Sequence, residues 1–316
     1  MKDAIGGYFS LELRKGAHYH TNALRINTAR NAFEYILRAR KYAKVFLPYY
    51  MCQVLLEPIQ KLHINVEYYP INDALEPVTL PALKANEAFL YTNYYGLKQA
   101  TVEQLAKQYG TQLIVDNAQA FFAQNVPHID TFYSARKFFG VPDGAYLYTD
   151  AQLDLELPQD ESFQRMSHLL KRTDLCAESG FADYQENEES LCHHPIKRMS
   201  RLTEHLLASI DYESIKQIRR ANYLQFEQTL QPHNLLKLPP LSKDAIPMVY
   251  PYWSESNTHI RQTLQQHRIY IATYWPNVLE WDSPMLEKNI VTYLLPLPID
   301  QRYSEQDIEN IKNLLI

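Results

Sequence analysis

Three short segments of this sequence carry residues able to do chemistry together. The apolar run at 113–115 leads into Asp116, with Gln119 in the turn that follows. The run at 128–134 leads through Ser134 to Lys137, with Gly140 and Gly144 beyond. A helical pattern beginning near residue 27 opens on Thr28, Ala29 and Arg30. Lys137 brings an amine, Asp116 a carboxylate, Gln119 a carboxamide, and the 28–30 turn the free N–H groups of a helix start. Pyridoxal phosphate calls for such a set. Its aldehyde takes an amine as a Schiff base, and that amine later moves protons. Its pyridine nitrogen needs a carboxylate to stay protonated, so that the ring accepts carbanion charge. Its phosphate suits the N-terminus of a helix. Gln119 is placed to donate a hydrogen bond to the ring's phenolate oxygen.

The elements that must position these residues follow from hydrophobic spacing. Residues 28–42 keep helical spacing behind a capping Thr28, and 50–62 resume it. Short apolar runs at 45–48, 66–70, 88–93, 113–116, 128–134 and 144–149 predict strands. A helix is expected over 101–109, opened by Thr101 as a cap and closed by Gly110. Strand–helix–strand alternation predicts an α/β fold with a mainly parallel sheet, its site beyond the carboxyl ends of the strands. After residue 150 the pattern turns polar: 150–161 and 177–190 read as surface excursions, and 197–231 as one long helical stretch. Alternation returns after 245, through 269–275 and 293–298 to a closing helix at 304–315. The Pro- and Leu-rich stretch 232–246 marks a boundary. We therefore expect a large domain over 1–231 and a small C-terminal α/β domain over 232–316.

With these motifs in order, the chain resembles the DegT/DnrJ/StrS-type sugar aminotransferase family, of the type I pyridoxal-phosphate transferase fold. NTARNAFEYIL resembles the family's phosphate turn, and VFLPYYMC its strand leading to the residue that covers the cofactor ring, near Tyr50 to Cys52. VDNAQAFF resembles its Asp-x-x-Gln element, and SARKFFGVPDG its cofactor-lysine segment. RIYIATYW and LLPLPIDQRYSEQDIENI resemble its C-terminal domain. The resemblance implies Lys137 as the catalytic lysine, with Asp116, Gln119, Thr28, Ala29, Arg30, Ser134 and Cys52 around the cofactor. The chain is shorter than typical members, differs most over 150–195, and departs from the motifs themselves at two positions. Phe132 stands where the family carries serine five residues before the lysine, and Ser134 lies three before. Ile196 stands where an asparagine precedes the Arg-Met pair, here Arg198-Met199.

Other features set limits. The 316 residues carry a net charge of -5 with no basic stripe, which argues against nucleic acid. Three cysteines without a paired spacing fit a reducing compartment rather than a disulfide framework. No leader and no membrane-length apolar run is visible, so a cytoplasmic protein is expected. His18 and His20, and Cys192 with His193 and His194, invite a metal reading, but neither has a second pair at zinc spacing. No metal is expected. Taken singly, Lys137 is a surface lysine, Asp116 a helix cap and Arg30 a solvent-facing residue. Twenty-four tyrosines make Tyr94 and Tyr95 as readily core as pocket.

The resemblance implies a transaminase that passes an amino group from a donor such as glutamate to a keto sugar, free or nucleotide-linked, and a homodimer. Two alternatives share the residues. One is a pyridoxal-phosphate enzyme of another reaction, elimination or decarboxylation. The other is a noncatalytic binding protein on the same fold.

Overall fold

In the computed structural model, the described residues are 5–255 and 257–315. The first four residues of the stretch read for a leader lie outside them. The chain begins with strand β1 (Leu24–Ile26), helix α1 (Ala29–Arg40), β2 (Lys44–Pro48), α2 (Leu56–Lys61) and β3 (Asn65–Tyr69). Then come β4 (Glu87–Thr92), α3 (Gln99–Tyr109), β5 (Leu113–Asn117), β6 (Asp130–Ser134) and β7 (Ala145–Tyr148). These seven strands form one sheet in the order β3-β2-β4-β5-β6-β7-β1. β3, β2, β4, β5 and β6 run parallel, while β7 pairs antiparallel with both β6 and β1. The mainly parallel α/β sheet is thus present, and the carboxyl ends of β4, β5 and β6 open on one edge.

Helix α1 shows why the site has a firm floor. Thr28 Oγ1 accepts from the Asn31 N–H at 3.0 Å and caps the helix, worth about 1 kcal/mol. Ala32, Phe33 and Ile36 are fully buried against the sheet, with the Phe33 ring 5.7 Å from Phe132 on β6.

The second half holds α4 (Ser167–Asp174), α5 (Phe181–Ser190), α6 (Arg201–Ala208) and α7 (Tyr212–Leu230). It continues with β8 (Val249–Trp253), α8 (Asn257–Gln266), α9 (Asn277–Glu280), α10 (Met285–Tyr293), β9 (Leu294–Pro298) and α11 (Glu305–Asn313). β8 and β9 form a two-stranded antiparallel sheet, packed on α7 through Tyr223 and Phe226 against Tyr250.

Four expectations need correcting. The stretch 197–231 is two helices, because Asp211 accepts from the Ser214 N–H and starts α7 afresh. Helix α3 begins at Gln99, and Thr101 bonds Glu76 instead of capping. The alternating stretch 269–275 finds no partner strand; Arg261 takes the carbonyls of Ile271 and Ala272 instead. The excursion at 177–190 contains α5, whose Glu188 pairs with Arg136 and whose Asn187 donates to the Pro142 carbonyl at 3.1 Å. That helix is fastened to the loop that carries Lys137.

Candidate functional site

Strand alternation decides which side chains share the site. Thr92 stands opposite Asp116, and Asp116 opposite Phe132, across β4, β5 and β6. One step on, Ser134 is opposite Ala145 of β7, and Ala145 opposite Ile26 of β1. Thr92, Asp116 and Ser134 therefore lie on the same face, at the carboxyl ends of three adjacent parallel strands. This is the α1 face, because Phe132 packs on Phe33. The Gly144 N–H donates to the Asn27 carbonyl at 2.6 Å and the Ala135 N–H to the Gly144 carbonyl at 3.0 Å. Those two bonds bring the lysine loop against the start of α1.

Asp116 is buried, and its Oδ1 accepts from the Ala118 N–H at 2.8 Å, leaving Oδ2 for another donor. Burial raises its carboxyl to about 6; the Ala118 N–H and the positive charge of Lys137 pull the other way. Lys137 is exposed, and its Nζ lies 5.6 Å from the centre of the Tyr274 ring, within cation–π range. Gln119 is buried, with Oε1 accepting from the Tyr95 N–H at 3.2 Å and Nε2 without a partner. The Thr92 hydroxyl is likewise buried and unpartnered.

The remaining predicted residues fall around this core. Thr28 and Ala29 form the first turn of α1, above Ser134's end of the sheet. The Arg30 guanidinium pairs with Glu57 and bonds the Leu191 carbonyl at 3.0 Å, so its backbone N–H is what α1 offers an anion. Cys52 is half-buried and close enough to Tyr184 of α5 to affect that phenol electrostatically. His18 and His20 bond Tyr146 and the Phe121 carbonyl, and His194 bonds Asp160. Those histidines are spent on packing and hydrogen bonds.

Three residues that sequence spacing did not single out complete the surroundings. Tyr274 comes from the unpaired stretch before α9, which Asn277 ties to the Met51 carbonyl at 3.2 Å. Thr92 is found only through strand register. Arg219 is buried in α7 and donates to the carbonyls of Met248 at 3.0 Å, Pro247 at 3.4 Å and Phe138 at 3.5 Å. It lies over the Phe138 ring, and burial lowers its pKa to about 10. Because Phe138 follows Lys137, Arg219 anchors the lysine loop to the segment that leads into β8. Burial raises the phenols of Tyr50, Tyr94, Tyr95 and Tyr274, so they remain neutral hydrogen-bonding groups. A separate cleft of about 840 Å³ opens beside Arg268, Arg302 and α11, and none of the site residues lines it.

The donor set suits pyridoxal phosphate: an amine, a half-satisfied carboxylate, an unpartnered buried amide N–H, and a helix start with a hydroxyl beside it. An unpartnered buried donor costs about 1–3 kcal/mol, which an acceptor in the site would return.

Comparison with solved structures defines the fold. NtdA from Bacillus subtilis, with bound cofactor PMP, has a TM-score of 0.64 at 14% identity, over 93% of this chain and 73% of that one. DesI, in the presence of its TDP-sugar product, has a TM-score of 0.62 at 12% identity, over 93% and 79%. A DegT DnrJ EryC1 StrS aminotransferase from Brucella abortus has a TM-score of 0.62 at 13% identity, over 93% and 84%. No protein-family model matches the chain, and no curated protein matches it in sequence. The chain has the type I fold of the pyridoxal-phosphate transferases. Among solved structures, sugar aminotransferases share that fold with it.

Proposed function

We propose that this protein is a pyridoxal-phosphate-dependent aminotransferase of the DegT/DnrJ/StrS type, acting on a keto sugar with an amino-acid donor such as glutamate. The observation that carries the reading is the end of β5. There a buried carboxylate keeps one oxygen open and lies near enough to the Lys137 amine to feel its charge, and three residues on a buried carboxamide has N–H groups without a partner.

The cofactor supplies an electron sink and an aldehyde that carries the amino group between donor and acceptor. Lys137 would provide the amine that holds it and, as a free amine, would be the group to move a proton from the donor's α carbon. Asp116 keeps the ring nitrogen protonated through Oδ2. Gln119 donates to the phenolate oxygen. The N–H groups of Ala29 and Arg30, with the hydroxyls of Thr28 and Ser134, take the phosphate. Cys52 would be the residue that covers the ring. The same reading divides the chain near 231/232 into a cofactor-binding and a small domain. It places the protein in the cytoplasm as a homodimer, which exposed Phe181 and Tyr184 on α5 support. Among the described residues no helix is long and apolar enough to cross a membrane.

The test is the visible spectrum of the purified protein with pyridoxal phosphate, beside Lys137→Ala. We expect a band that borohydride removes and the variant lacks. Glutamate should then convert the band, and a keto sugar restore it. No band in the wild type overturns the enzyme reading. Product from an amino acid alone, without an acceptor, points to elimination or decarboxylation.

A further inference from the structure

The chain turns sharply where β4 ends. Tyr95 is fully buried at φ 57° and ψ 10°, and Gly96 follows at φ 75°. In a left-handed backbone the Cβ of a non-glycine residue crowds the following carbonyl, and asparagine tolerates this far better than a bulky ring does. Surrounding contacts hold Tyr95 there. Its carbonyl accepts from the Met248 N–H at 2.9 Å, and its hydroxyl is 2.8 Å from that of Tyr50. Its ring centre lies 5.9 Å from that of Tyr274. The neighbouring position is equally tight: a Cβ on Gly96 would meet the Ile246 carbonyl oxygen at 3.1 Å.

One consequence of this backbone reaches the site. The Tyr95 N–H points at the Gln119 carboxamide at 3.2 Å. An N–H only donates, so the atom facing it must be Oε1, and Nε2 must occupy the other end. Nε2 is the buried group without a partner. Without the Tyr95 bond the carboxamide would be free to rotate and present its oxygen instead. An anionic oxygen in the site would then meet a repelling acceptor.

We propose that Tyr95 is a positioning residue, whose left-handed backbone fixes the Gln119 carboxamide so that Nε2 donates to an anionic oxygen of the bound group. This rests on the cofactor reading above. A donor on the phenolate oxygen favours its charged form, and so lowers the pH midpoint of the Lys137-dependent visible band.

The test compares Tyr95→Asn with Tyr95→Val in the full chain with pyridoxal phosphate. The two side chains are close in size and leave similar cavities, but only asparagine readily adopts φ above zero. Gln119→Ala should raise the midpoint by about 1 pH unit. Tyr95→Val should reproduce most of that rise, Tyr95→Asn little of it, and Tyr95→Val should add nothing in the Gln119→Ala background. Equal shifts in the two Tyr95 variants, or no shift in Gln119→Ala, overturn the proposal. A second readout needs neither cofactor nor a Tyr95 variant. Gln119→Ala removes the acceptor of the Tyr95 amide, whose hydrogen exchange should accelerate at least about tenfold. Unchanged exchange overturns the positioning role even if the band is present; a missing band with accelerated exchange removes the cofactor reading, and with it the proposed anionic partner.

Discussion

Replacing Asp116 with asparagine should make the cofactor-free protein more stable at neutral pH while removing the carboxylate proposed to pair with the cofactor. The reason lies in the cost of the buried charge. The carboxyl is raised from its usual 3.8 to about 6, chiefly by burial. Between those values the folded protein binds more protons than the unfolded chain, so this group's contribution to stability falls as pH rises through the window. Above about pH 6 the full cost applies, about 3 kcal/mol. The introduced carboxamide would keep an oxygen for the Ala118 N–H that Asp116 Oδ1 now accepts, so little else is lost. For 316 residues, unfolding entropy near 2.1 cal/mol/K per residue converts that gain to about 4–5 °C in Tm. The assay is thermal unfolding of stripped Asp116→Asn and wild type at pH 7.5 and again near pH 4. The gain should be present at the higher pH and absent at the lower. No gain at pH 7.5, or one that persists near pH 4, would refute the account of Asp116 as a carboxylate held charged against its surroundings.

Two further outcomes follow from the packing. Arg219→Met removes donors from the carbonyls of Phe138, Pro247 and Met248, and the relief of its own burial offsets only part of that loss. The net cost should be about 2 kcal/mol, read as a lower urea midpoint, with weaker pyridoxal phosphate binding because the lysine loop loses its anchor. Gly144 sits at φ 115°, where a Cβ would lie 2.9 Å from Thr203 Cγ2 and 3.4 Å from Met199 Cε. Gly144→Ala should therefore lose about 2–3 kcal/mol in the same assay.

The parts of the site legible in the sequence were those carried by local signals. Asp116 closes an apolar run that could only be a strand. Thr28 caps α1 through the next turn's N–H, as its position before a helical pattern implies. Lys137 follows the next strand closely, and parallel pairing brings the two strand ends to one edge. What escaped depends on tertiary register. Thr92 joins the site because it is opposite Asp116, a pairing no spacing reveals. Tyr274 belongs to a stretch whose alternation reads as a strand, but Arg261 takes the carbonyls of Ile271 and Ala272 and the stretch has no partner strand. Arg219 looks in sequence like its neighbour Arg220, the other arginine of α7, yet it is buried where Arg220 remains partly exposed. The break before α7 was readable in principle: Asp211 and Ser214 stand at capping distance.

The pairing of β1 with β7 also bears on how the chain is made. Leu24 lies opposite Leu147, so 123 residues separate the two strands. At synthesis rates of about 5–20 residues per second, β1 waits about 6–25 s on the ribosome before its partner exists. Through that interval the nascent chain carries an unpaired strand edge and an uncovered α1 face, because Phe33 packs on Phe132 of β6. Slowing translation before residue 150 would lengthen the exposure, and a chaperone that binds early apolar segments would have its best target there.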